Sequence, residues 1–307
     1  MTNKEKNMQW PKRNFKFGYA LGGGAARGIA HIGVLKALDE CGIKPDYISG
    51  TSAGAIVGAL YSAGISPQYI YDVVTSMTRA DWIKMMDLSL FKNGLMKGER
   101  LMQWLKEYTG GDIDFNNLRI PFSAVATDIN NGEKVALNNG SVWDAVRASI
   151  SIPVIFSVVE RNDRFLVDGG LSETVPVDTV KDMGADFTLA INVIPLSNDR
   201  LISPEFITKN NKHENRPGML HVAMHVYEIS DARIITDSLK HANFVIEPDT
   251  SQIGPTDFKK AKECADAGYV AAITNIDTLK KALATFQIKT IKEFRDVCPP
   301  QVPFAII

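Results

Sequence analysis

The stretch Gly50-Thr51-Ser52-Ala53-Gly54 decides how this chain is read. A serine with a glycine two residues away on either side fits a sharp turn from strand into helix. Small neighbours let the backbone bend there and leave the hydroxyl exposed at the end of a sheet. The flanks suit such a turn. Pro45-Asp46-Tyr47-Ile48-Ser49 reads as a short strand, and Ala55-Ile56-Val57-Gly58-Ala59-Leu60-Tyr61 as a buried helix. An ordinary loop has the same five letters, so the rest of the chain has to decide between them.

Upstream, Phe15 to Leu21 shows strand alternation and runs into Gly22-Gly23-Gly24-Ala25-Ala26-Arg27-Gly28. Residues 29–40 then read as a helix, apolar at Ile29, Ile32, Leu35 and Leu38 and stopped at Gly42. Strand, glycine loop, helix, strand, serine turn and helix make a βαβα order. That order predicts an α/β fold, a three-layer α/β/α architecture with a mainly parallel central sheet. The glycine loop has several readings. A phosphate site would use the same helix start, but Arg27 stands where a dinucleotide loop needs its third glycine, and no Gly-Lys-Ser/Thr follows. An oxyanion site also needs exposed N–H groups at a helix start, with glycine allowing close approach. A plain turn needs fewer than three consecutive glycines.

Downstream, residues 73–91 carry Val73, Val74, Met77, Trp82, Met85 and Phe91, a composition suited to core packing, to the cover of an apolar acyl site or to a lipid-facing surface. Helices are expected over about 99–108, 142–149 and 175–183, and strands over 120–128, 133–137, 164–167, 187–193 and 244–246. Residues 196–217 read as an exposed loop and 219–240 as a long helix. Residues 258–283 read as one or two helices split near Gly268. The ending Val302-Pro303-Phe304-Ala305-Ile306-Ile307 is too apolar to hang free. Residues 1–14 read as a flexible arm, 15–200 as the catalytic core and 201–307 as a helical extension completing the same domain.

The bulk properties narrow the function. The 307 residues are 45% hydrophobic and 22% charged, enough to bury a sizeable core, and the formal net charge of −1 gives no global attraction to nucleic acid. Cys41, Cys264 and Cys298 are far apart and odd in number, without disulfide or zinc spacing. No secretory signal and no run of about 18 apolar residues is found, so a cytoplasmic protein is expected.

A serine nucleophile needs a base, because a free hydroxyl is protonated at neutral pH. A Ser, Asp, His order is available through Ser52, Asp168 and one of His213, His221, His225 or His241. Ser52 comes too early for the strands that normally precede that arrangement. His221 and His225 are four apart on a helix but lack a third ligand at metal spacing. His31 reads as packing behind the glycine loop. Asp168 ends a strand and is followed by Gly169 and Gly170, which free the backbone to turn and leave its carboxylate accessible to take a serine proton directly.

The glycine loop, the serine turn and Asp168-Gly169-Gly170, in this order and spacing, resemble the bacterial patatin-like phospholipases. Arg147-Ala148-Ser149-Ile150-Ser151-Ile152-Pro153, followed by Phe156, is similar to a further block of that family, although Ser157 and Val158 stand where prolines are common. The resemblance covers about residues 15–195. It implies a hydrolase of lipid acyl esters with a Ser–Asp dyad and no cofactor or metal. Ser52 matches the nucleophile and Asp168 the base. Gly22, Gly23, Gly24 and Arg27 match the oxyanion loop, with Gly28, Gly50, Gly54, Gly169 and Gly170 as motif support. A transacylase, or a non-catalytic regulatory or scaffolding protein on the same fold, are the alternatives. Peripheral membrane contact and oligomeric state are left open by the sequence.

Overall fold

A computed structural model describes residues 13–86, 96–196 and 231–297. The expectations for the N-terminal arm up to residue 12, for most of the 196–217 loop, for the first part of the 219–240 helix and for the C-terminal ending lie outside these residues, as do His213, His221, His225 and Cys298.

The centre is an eight-stranded sheet. Its strands are β1 (Phe17–Leu21), β2 (Tyr47–Thr51), β3 (Phe122–Asp128), β4 (Lys134–Leu137), β5 (Val159–Arg161), β6 (Arg164–Asp168), β7 (Phe187–Ile191) and β8 (Phe244–Ile246). The order is β5-β6-β3-β2-β1-β7-β8, with β4 also paired to β3. The run β3-β2-β1-β7-β8 is parallel, while β4 and β6 meet β3 antiparallel. Helices cover both faces, so the architecture is three-layer α/β/α with a mostly parallel sheet.

The strands sort their side chains by size. Phe17, Tyr19 and Leu21 of β1 face the larger core, which also holds α1 (Ala30–Glu40), α2 (Ala53–Ser62) and α3 (Pro67–Ser76). Ala20 faces a smaller core with Val177 and Val180 of α8 (Val177–Asp182). Between these stretches lie α4 (Arg79–Met86), α5 (Glu99–Tyr108), α6 (Val142–Ser149) and the single turn α7 (Gly170–Glu173). A further helix, α9, covers 231–240.

The last helix, α10, runs unbroken from Ala261 to Val297, so the expected split near Gly268 does not occur. Gly268 serves a helix crossing. A Cβ there would run into the Ala30 carbonyl oxygen of α1, and one at Gly33 into the Ala265 carbonyl oxygen of α10. The two glycines let the helix backbones touch. Lower on the same helix, Phe286 packs on Phe15 and Phe187 with ring centroids 5.1 and 5.3 Å apart. At the other end of the chain, Arg13 donates to the Lys44 carbonyl at 2.8 Å and pairs with Asp46 at 3.2 Å.

Candidate active site

Ser52 sits between β2 and α2 with φ 53° and ψ −120°. That backbone region is sparsely populated for a residue with a Cβ and costs on the order of 1–3 kcal/mol. Neighbouring residues hold it there. The Ser52 carbonyl accepts from the Ala55 N–H at 2.9 Å and from Ile56 at 3.3 Å, starting α2. The Ser52 N–H donates to Ser149 Oγ at 2.9 Å, and that hydroxyl donates to the Val125 carbonyl at 2.5 Å. The flanking glycines are spatial requirements. A Cβ on Gly50 would stand 2.6 Å from the Gly54 carbonyl oxygen, and one on Gly54 would strike the Leu21 carbonyl. Gly28 brings the glycine loop against Ala53, whose Cβ a side chain would strike.

The glycine loop departs from expectation in its donors. The Gly22 N–H donates to the Ile191 carbonyl at 3.0 Å and the Gly23 N–H to the Thr174 carbonyl at 2.9 Å. Both amides are engaged by the body of the protein, so neither points at an incoming oxygen. The chain then turns at Gly24, φ 155°, and Ala25, φ 49°. Among the described residues no acceptor takes the N–H of Gly24 or Ala25. The Arg27 N–H closes back on the Gly24 carbonyl at 3.0 Å, and its Nε donates to the Ile253 carbonyl at 2.8 Å. Arg27 thus fastens the loop. Behind it, His31 is fully buried with Nε2 2.7 Å from the Gly22 carbonyl oxygen. Burial pushes its pKa down to about 4, so the ring is neutral at pH 7 and Nε2–H is the donor.

Asp168 is fully buried at the end of β6. Its Oδ1 accepts the Gly170 N–H at 2.8 Å, and its own N–H donates to the Ser151 carbonyl at 2.9 Å. The register places it relative to Ser52. Thr51 pairs with Val125 across β2 and β3, and Asp168 pairs with Ala126 across β3 and β6. One residue past Thr51, Ser52 is therefore level with Asp168 on the other side of β3. Gly169 makes this approach feasible, because a Cβ there would collide with the Val125 carbonyl.

Ser52 lines a cavity that is open in part to solvent. Among the described residues Ser52 is the one aliphatic hydroxyl on its wall, and the other lining side chains are apolar or aromatic. Ile56, Val57 and Leu60 of α2 carry the wall away from Ser52. Leu60 is eight residues on, which is about 12 Å of helix. Val73, Val74, Trp82 and Met85 from the Met- and aromatic-rich 73–91 stretch also line it, so in the described part of that stretch these side chains serve as the wall of a cavity.

Compared with known proteins, residues 19–181, more than half of the chain, match the family model described as patatin-like phospholipase. The chain belongs to the patatin-like phospholipase family. An uncharacterized NTE family protein of Mycobacterium bovis is 35% identical over 174 residues, which is 57% of this chain and 48% of that protein. Lysophospholipase NTE1 of Meyerozyma guilliermondii is 26% identical over 274 residues, 84% of this chain and 19% of that one. The chain spans about half the length of the mycobacterial relatives it matches. Among solved structures, VipD from Legionella pneumophila aligns with TM-score 0.47 and 14% identity, over 86% of this chain and 67% of that one.

In this patatin-like chain the structure brings Ser52, Asp168, the glycine loop and Arg27 to the same end of the sheet. It leaves His241 apart, on an exposed pair with Asp178 at 2.9 Å. Among the described residues no group of three His, Cys, Asp or Glu gathers as a metal site, and no helix is long and apolar enough to cross a membrane. Two residues go beyond the sequence reading. Ser149 was visible only as part of a block, and its tie to Ser52 follows from how α6 ends beside β3. Arg147 was visible in the same block. Its guanidinium clasps the Lys97 carbonyl, Ser151 and Ser157, at 2.6 to 3.1 Å, over the Phe156 ring.

Proposed function

We propose that this patatin-like chain is a serine acyl-ester hydrolase acting on lipids, with Ser52 as nucleophile and Asp168 as its base. The observation that carries the reading is Ser52, held on a strained turn in the wall of a cavity whose other described lining side chains are apolar or aromatic, a lining suited to an acyl chain. The names of the fungal relatives, lysophospholipases, point to the same substrate class.

On this reading the reaction runs in two halves. Asp168 takes the proton of the Ser52 hydroxyl while Oγ attacks the ester carbonyl carbon. The carbonyl oxygen becomes an oxyanion, and the N–H groups of Gly24 and Ala25 are the donors assigned to it, replacing Gly22 and Gly23. The tetrahedral centre collapses, the C–O bond to the alcohol or lysolipid breaks, and Asp168 returns the proton to the leaving oxygen. An acyl-Ser52 remains, its chain in the cavity. Water then gives a proton to Asp168 and adds to the acyl carbon. Release of the fatty acid returns that proton to Ser52.

The test is a lipid-panel hydrolysis assay with covalent labelling by a fluorophosphonate. Wild type is expected to release fatty acid and to carry the label on Ser52. Ser52→Ala is expected to lose about a thousandfold or more, and Asp168→Asn nearly as much, since residues acting as a unit fail together. Full activity in Ser52→Ala overturns the assignment. Absence of labelling and of hydrolysis in wild type favours a non-catalytic role, and acyl transfer to an added alcohol in preference to water favours a transacylase.

A further inference from the structure

The described cavity wall includes a residue that the family match does not reach. That match ends at residue 181, yet residues 250–258 touch the glycine loop and the cavity together. The Ala26 N–H donates to the Pro255 carbonyl at 3.1 Å, and Arg27 Nε donates to the Ile253 carbonyl at 2.8 Å. Thr250 Oγ1 donates to the Val193 carbonyl at 2.7 Å, which fixes the start of this segment just past the C-terminal end of β7. Three residues past Pro255, Phe258 reaches the cavity and stacks on Trp82 of α4, centroids 4.9 Å apart and planes 27° from parallel. Both rings line the cavity that Ser52 opens on. Trp82 is almost fully buried.

We propose that the stacked pair Trp82–Phe258 is the specificity-determining wall of the cavity and that Phe258 sets the largest acyl group accepted at Ser52. This rests on the cavity being the acyl site of the proposed hydrolase. The physical reason lies in how the two rings are held. Each limits the other, and the segment bearing Phe258 is anchored through backbone carbonyls to the loop that must stay still for the oxyanion. The wall therefore cannot swing away as a loose loop side chain does, and an acyl group that meets it is excluded by overlap with packed aromatic carbon. One methylene that fits or fails to fit such a wall changes selectivity by about tenfold or more. On this proposal the rings act on the acyl chain, so they sort acyl groups by length and bulk.

The experiment is a series of p-nitrophenyl esters from butyrate to palmitate, with kcat/KM measured for wild type, Phe258→Ala, Phe258→Leu and Trp82→Phe. Circular dichroism and thermal unfolding check that each variant is folded, and Phe258→Leu is the gentler substitution should alanine unfold the segment. Wild type is expected to show a maximum at one chain length. Phe258→Ala and Phe258→Leu are expected to move that maximum to longer chains, with a gain of about tenfold or more for the longest relative to the shortest ester. Trp82→Phe is expected to shift it in the same direction by less. A folded Phe258 variant whose rates fall or rise equally for every ester overturns the proposal, since a purely structural ring has no reason to sort chains. The underlying hydrolase reading fails separately, if wild type cleaves no ester in the series and Ser52 takes no fluorophosphonate.

Discussion

The backbone N–H of Ser52 donates to Ser149 Oγ at 2.9 Å, while the Ser149 carbonyl accepts the Gly169 N–H at 3.4 Å. One residue at the end of α6 thus ties the turn that carries Ser52 to the turn that follows Asp168. Its hydroxyl also donates to the Val125 carbonyl in the strand between them. Ser149→Ala removes a buried acceptor and a buried donor at once, which costs about 1–3 kcal/mol. It also frees the backbone at an unfavourable φ to relax. Urea unfolding is expected to show the loss of stability, and kcat to fall roughly ten- to a hundredfold through misplacement of Ser52. A destabilised variant with wild-type kcat would confine Ser149 to folding.

His31 predicts a pH dependence. Its neutral ring donates to the Gly22 carbonyl at 2.7 Å, and burial lowers its pKa to about 4 from an unfolded value of 6.5. The unfolded chain therefore takes up a proton as pH drops below 6.5, while the folded chain resists until about 4. Stability from this group is complete above 6.5 and is lost as pH falls towards 4, a difference of about 3 kcal/mol. The substitution His31→Gln places an amide donor near the same carbonyl without a titrating group. The stability difference between pH 7 and about 4.5 is expected to shrink by roughly 2–3 kcal/mol in His31→Gln relative to wild type. Equal differences in both proteins would show that His31 does not hold its proton state as described.

The parts of the site that local sequence dictates were legible, and the parts that depend on distant strands were not. Gly50, Ser52 and Gly54 are spaced by the turn itself, and β2 falls within a residue or two of its expected span because a strand must feed that turn. Gly22 and Gly23 carry the same glycine signal as Gly24. Only the sheet order, which puts β7 beside β1, and the fold of the chain after Asp168, which brings Thr174 alongside, show that their amides are already engaged. Gly268 misled for a related reason. A glycine within a helix reads as a break until the partner helix is known. The hairpin strand β5 was missed although Asn162 and Asp163, at φ 52° and 59°, are the residue types its two-residue turn requires. Val159–Arg161 is too short to show a period of two.

The helix crossing gives a prediction outside the site. Gly33 and Gly268 each face a carbonyl of the opposite helix with no room for a methyl group. Gly268→Ala has the better helix former and, on an exposed helix, would gain about 1 kcal/mol. Here the clash is with backbone, which cannot rotate aside, so α10 must lift from α1. A net loss of about 1–3 kcal/mol is expected in chemical denaturation, with Gly33→Ala behaving alike. Stabilisation by either alanine would show that the two helices stand further apart than described.

Arg147 links the cavity to the turn before Asp168. Its Nε donates to the Lys97 carbonyl at 2.6 Å, Nη1 to Ser151 Oγ at 2.6 Å, and Nη2 to the Ser157 carbonyl and hydroxyl at 3.1 and 3.0 Å. Ser151 in turn accepts the Asp168 N–H through its carbonyl, and Phe156, under the guanidinium, lines the cavity. Burial lowers the Arg147 pKa from its usual value. A guanidinium remains charged even so, because its unperturbed value is so high. A lysine keeps the charge but replaces a planar fork with a single point, so it cannot reach four acceptors on three residues in different directions. Arg147→Lys is expected to cost about 1.5–3 kcal/mol, the range for a lost hydrogen bond from a charged donor. Arg147→Ala should cost more, because the carbonyls of Lys97 and Ser157 then lose their donor altogether. Because Phe156 and Ile152 shape the cavity beside this clasp, KM for long-chain esters should rise in Arg147→Lys more than kcat falls. Chemical denaturation with ester kinetics on the same preparations checks both. If kcat collapses while KM is unchanged, Arg147 acts through Asp168 and not through the cavity wall.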